Sequence, residues 1–160
     1  MTKHEEMQAF VRHYKRTNKK TTVTMAEIAA AAIKAGWPAP PPVTAEERLA
    51  KQFAAAEREE TKVDKKTNRP YRANLSYSIT DKRGEQTSFW VETDDASRFQ
   101  AEMWMQKYRE QMIGEAVIGT NTIEHWNRVN PKEQPLQFEL DFGPETEWRR
   151  NTPVEEEELV

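Results

Sequence analysis

The fold turns on residues 74–92, Asn74-Leu75-Ser76-Tyr77-Ser78-Ile79-Thr80-Asp81-Lys82-Arg83-Gly84-Glu85-Gln86-Thr87-Ser88-Phe89-Trp90-Val91-Glu92. Leu75, Tyr77 and Ile79 alternate with Asn74, Ser76 and Ser78. A period of two is the mark of a strand with one apolar face. Asp81-Lys82-Arg83-Gly84 has the chemistry of a turn, and Phe89 and Val91 resume the alternation against Ser88, Trp90 and Glu92. A hairpin is expected here. The flanking sequence has mostly helical period, so the fold class is α+β.

Upstream, Met7, Phe10, Val11 and Tyr14 make one stripe of a helix from about Glu5 to Thr17. Thr24-Met25-Ala26-Glu27 spells a capping box for a second helix, which Gly36 ends. Trp37 opens a stiff connector rich in proline, Pro38 to Val43. Thr44-Ala45-Glu46-Glu47 is a second capping box, starting a third helix to about Glu60 with Leu49, Phe53 and Ala56 inward. Residues 61–72 read as a polar, basic loop.

Downstream, Thr93-Asp94-Asp95 offers a helix start. Ala101, Trp104, Met105, Tyr108, Met112 and Ala116 then trace one face of a long helix from about Ala96. It either breaks near Gly119 or runs on to Asn130-Pro131. Leu136, Phe138, Leu140 and Phe142 alternate with Gln137, Glu139 and Asp141, which predicts a last strand joining the hairpin and stopping at Gly143-Pro144. Residues 151–160 carry Glu155 to Glu158 in a row and read as a disordered acidic tail.

Helix, short extended segment, helix, helix and hairpin is an order that resembles the winged-helix family over residues 5–92. The resemblance implies a winged-helix-like unit of residues 1–92, a helix-plus-strand extension of 93–150, then the tail. It also implies that the third helix lies nearest a DNA major groove. Arg48, Lys51 and Gln52 are then the candidates for base contact, with the hairpin turn reaching the backbone or the minor groove. Winged helices also serve as protein-binding modules, and fold alone does not set function.

Charge supplies an independent argument. Residues 1–75 hold 15 Lys+Arg against 9 Asp+Glu, or +6, while residues 76–160 hold 9 against 18, or −9, giving the net −3. A basic half favours a polyanion or an acidic partner. The basic constellation comprises Arg12, Lys15, Arg16, Lys19 and Lys20 from the first helix, Lys62, Lys65, Lys66, Arg69 and Arg72 from the loop, and Lys82 and Arg83 at the hairpin turn. Such cations neutralise phosphates and release counterions, and Tyr71 between Arg69 and Arg72 can stack on a base or sugar. The plain alternative is a solvated face.

Trp90 stands on the strand face opposite Phe89 and Val91, either as a contact surface or covered by the long helix or last strand. Trp104, Met105, Tyr108 and Met112 are either core or a surface for a homodimer or protein partner. The leading expectation is therefore a non-enzymatic accessory or regulatory DNA-binding protein. The alternative is a protein-interaction adaptor working through the aromatic helix and the acidic half.

Catalytic chemistry finds little footing. There are no cysteines, so thiolate metal sites, disulfides and cysteine nucleophiles are excluded. His4, His13 and His125 have no ligand spacing, and no HExxH, GxSxG or phosphate-loop pattern occurs. His125 reads as an ordinary helix-end histidine, with a small hydrolase or nuclease there as the distant alternative. No cofactor or metal is expected. No apolar run approaches a membrane span or a secretory signal, which with the absent cysteines fits a cytoplasmic protein.

Overall fold

The computed structural model describes residues 1–152. In chain order the elements are α1 (Lys3–Thr17), α2 (Met25–Lys34), α3 (Ala45–Glu59), β1 (Thr61–Val63), β2 (Pro70–Arg72), β3 (Asn74–Thr80), β4 (Gln86–Glu92), a 3-10 turn (Thr93–Asp95), α4 (Arg98–Val129) and α5 (Gly143–Asn151). Helices and two antiparallel strand pairs make this an α+β protein, as expected. Two compact units, Met1–Arg48 and Leu49–Val160, divide the chain inside α3. The expected winged-helix unit of residues 1–92 therefore draws on both.

In the first unit, α1 begins earlier than its apolar stripe indicated, because Thr2 and Glu5 form a reciprocal capping box. Thr24 accepts the Glu27 amide at 3.2 Å, but the Glu27 carboxylate pairs with Lys20 at 3.2 Å instead of closing the box. At the other end of α2, Gly36 takes φ 85°. The Gly36 amide donates to the Ile33 carbonyl and the Trp37 amide to the Ala32 carbonyl, the Schellman pattern that satisfies a helix's last carbonyls. That turn carries the Trp37 ring onto Phe10, edge to face at 5.4 Å. Ile28 of α2 is the buried hydrophobic residue among those described in this unit.

In the second unit, residues 61–72 form a hairpin, β1 paired with β2, where a loop was expected. The cause is Asp64: its Oδ1 accepts the amides of Lys66 and Thr67, and its own amide donates to the Arg69 carbonyl. The expected hairpin is β3 with β4, in the register Leu75↔Val91, Ser76↔Trp90 and Tyr77↔Phe89. Tyr77 and Phe89 stack at 5.6 Å. At its turn, Gly84 has φ 80° and Asp81 Oδ1 accepts from Arg83 and Glu85. Ala73, Asn74 and Leu75 are the buried ones among the described residues of this unit, so its core sits where β3 begins.

The α4 helix starts at Arg98, capped by a reciprocal Ser97–Gln100 box, while Thr93–Asp95 is a 3-10 turn ahead of it. It runs unbroken through Gly119. Gln100 Nε2 donates to the Tyr77 hydroxyl at 3.1 Å and so ties α4 to β3.

A further expectation is overturned. Residues 136–142 form no strand and do not join the hairpin. Instead, the Asn127 side chain grips the Leu136 backbone on both sides, at 2.8 and 2.9 Å. The Phe138 ring then occupies the space that a side chain at Gly119 would fill. Gly143-Pro144 opens α5 instead of ending a strand, since proline is accepted in a helix's first turn. Of the expected tail, Asn151 ends α5 and Thr152 caps it; the remainder lies outside the described residues.

Candidate functional site

The C-terminal end of α3 is held by donors from the strands that follow it. Arg72 Nη1 donates to the Arg58 carbonyl at 2.7 Å, and Asn74 Nδ2 to the Glu57 carbonyl at 3.2 Å and to Glu60 Oε2 at 2.9 Å. Helix carbonyls left without partners attract such donors. The Thr93 hydroxyl donates to the Arg72 carbonyl, and the Thr93 amide to that of Ala73 at 2.8 Å. This knot brings the end of α3, the start of β3 and the approach to α4 together.

Beside the knot lies a cleft of about 270 Å³, lined by Arg58, Arg72, Asn74, Ser76, Trp90, Trp104, Lys107, Tyr108 and Gln111. Strand register sets one wall. Ser76 pairs with Trp90, and Asn74 lies two residues back on the same face. Helical spacing sets the other. Trp104, Tyr108 and Gln111 follow at i, i+4 and i+7, with Lys107 beside them. The Trp104 and Tyr108 rings stack at 5.0 Å with planes 17° apart. Three cations and three large aromatics therefore meet, with no carboxylate among the described lining residues; the Glu60 carboxylate accepts from the lining Asn74 side chain at 2.9 Å. Arg72 spends one N–H of its planar, five-donor guanidinium on the Arg58 carbonyl.

Four sequence candidates meet in this cleft: Arg72 from the basic set, and Trp90, Trp104 and Tyr108 from the partner set. Arg58, Lys107 and Gln111 escaped the sequence reading. Arg58 sits among carboxylates in α3, and Lys107 is one of 9 Lys+Arg set among 18 Asp+Glu in residues 76–160, so neither stood out by composition. The i, i+3 spacing of Trp104 and Lys107 on a helix beside an aromatic strand was the available signal.

The other candidates lie elsewhere. Lys65 and Lys66 are exposed at the β1–β2 turn, and Lys82 and Arg83 at the β3–β4 turn. Arg69 donates to Asn151 at 2.7 Å, and Lys62 is 3.9 Å from Glu92. Tyr71 donates its hydroxyl to Asp94, and desolvation together with that carboxylate holds the phenol above its ordinary pKa. The amides of Lys66 and Thr67 hold the Asp64 carboxyl below the usual carboxylate range. Lys51 and Gln52 are exposed on α3; in the first unit Arg48, Arg12, Arg16, Lys19 and Lys20 are exposed and Lys15 is half-buried.

Met105 is exposed, and Met112 lines a separate apolar groove of about 520 Å³ with Ile113, Ala116, Val117, Leu140 and Phe142. His125 Nδ1 contacts Arg128 at 3.0 Å, and among the described residues no group of His, Asp or Glu could hold a metal. No described helix is long and apolar enough to cross a membrane. No family model, no curated protein and no solved structure matches this chain.

Proposed function

We propose that the protein is a non-enzymatic, accessory or regulatory DNA-binding protein of the reducing cytoplasm, and that the cleft between β3–β4 and α4 is the centre of its contact. The observation that carries this reading is the convergence of Arg58, Arg72 and Lys107 with Trp90, Trp104 and Tyr108 in one concavity with no carboxylate among its described lining residues. Cations neutralise phosphates, and aromatic faces take bases or sugars. The exposed turns of β1–β2, with Lys65 and Lys66, and of β3–β4, with Lys82 and Arg83, add phosphate contacts in the same unit. Anisotropy of labelled DNA at low salt tests it. Lys107→Glu, at an exposed position of α4, should weaken binding about tenfold while leaving the fold intact. Absence of binding by the wild-type protein at low salt would refute the reading.

A second reading is self-association or adaptor binding through α4. It is favoured by the exposure of Met105, Met112, Ile113, Val117 and Ile118 on one helix. A soluble domain seldom leaves so much apolar side chain uncovered along one element.

A further inference from the structure

We infer that the cleft takes an unpaired nucleobase, so that the protein binds single-stranded DNA through stacking as well as charge. This rests on the nucleic-acid reading above and narrows it. A duplex buries its base faces within the stack, and the side chains offered here are faces, not edge-reading forks. Trp104 and Tyr108 form a stacked pair, with Trp90 across the cleft on β4. Such rings receive the flat face of any base, which only a single strand or a splayed nucleotide presents.

Size points the same way. The cleft, at about 270 Å³, lies just under the roughly 300–1,000 Å³ of pockets that enclose drug-sized molecules. It is sized for one base with part of its sugar, and a double helix is far too wide to enter.

The polar groups complete the fit. Arg58, Arg72 and Lys107 supply charge for the phosphates on either side of that nucleotide. Ser76 and Gln111 bring a hydroxyl and an amide, each able to donate and to accept, which suits a base without selecting one. Little sequence preference follows, because every base has a π-face.

The experiment compares two labelled strands of about twelve nucleotides, a length within the usual range for such proteins. One is oligothymidine and the other an abasic strand of equal charge; the full-length protein is titrated at one salt concentration. The base-bearing strand should bind about tenfold tighter, within the roughly five- to 150-fold that stacking one base contributes. Trp104→Leu should abolish most of that ratio, and Trp148→Leu, exposed on α5, should leave it intact. Should Trp104→Leu fail to melt cooperatively, Tyr108→Leu, the more exposed half of the stack, decides in its place. Equal affinity of the wild type for both strands overturns the inference and leaves the DNA-binding reading standing. A base-dependent ratio that survives the folded stack variant overturns the assignment to this cleft. Failure of both strands to bind at low salt overturns the DNA-binding reading together with the inference.

Discussion

Arg72 serves two masters: it closes the end of α3 through the Arg58 carbonyl and it lines the cleft. Arg72→Ala should therefore lower stability by about 1 kcal/mol as well as weaken DNA binding, because the carbonyl loses its donor. A urea midpoint that does not move would show the contact to be idle. Gly36 makes a cleaner residue-scale case. Its φ of 85° suits glycine, and nothing lies within 4 Å of the place a side chain would take. Gly36→Ala should cost about 1 kcal/mol from backbone strain alone, read as a lowered thermal midpoint. Asp64 offers a pH test. Its carboxyl is held below its ordinary pKa by the Lys66 and Thr67 amides, so its help to the β1–β2 turn is complete above the unfolded value. That help is lost as pH falls through the depressed folded value. The Lys66 and Thr67 amide resonances should shift together over that acid range, and independent movement would detach them from Asp64.

The elements differ in how openly the sequence announced them. β3–β4 and the helices α1 to α4 were legible, and α5 was not, because a period of two or a capping box is a local property, written in consecutive residues. The β1–β2 hairpin was not, since one aspartate turning back on two amides leaves no hydrophobic pattern. Residues 136–142 carry a strand's alternation, yet their partner is a helix: Asn127 and Gly119 of α4 supply the grip and the space. Alternation reports that a segment has two faces and does not say what meets them. The cleft was half legible, its aromatics by size and spacing, its cations Arg58 and Lys107 only once α3 and α4 were placed. The two glycines of α4 test this arrangement. Gly114 has open space around it, whereas a side chain at Gly119 would come within 2.7 Å of the Phe138 ring. Gly114→Ala should stabilise by somewhat under 1 kcal/mol, the helix propensity gain. Gly119→Ala should gain less, because the Phe138 ring must shift aside. Equal gains in thermal unfolding would mean that residues 136–142 do not hold to α4.

Across the whole molecule, charge and apolar exposure make separate demands. The apolar row on α4, from Met105 to Ile118, remains largely uncovered, so self-association at high concentration is the expected behaviour. Light scattering on the wild type and on Met105→Glu with Met112→Glu should show a dimer and a folded monomer; a wild type that stays monomeric contradicts the dimer. The charge argument is quantitative through salt. A surface that neutralises four to six phosphates gives a log–log slope of about −4 to −5 for duplex DNA. If the β1–β2 turn takes part, Lys65→Ala, Lys66→Ala and Arg69→Ala together should flatten it by up to about three units. The most direct measurement of the central claim is that slope for the cleft itself, by anisotropy of one labelled single strand across a salt series. Each phosphate contact on a single strand contributes about 0.7 to it. Arg58→Ala with Lys107→Ala should flatten the wild-type slope by about 1.4 units, and an unchanged slope in the folded double variant would contradict DNA binding at this cleft.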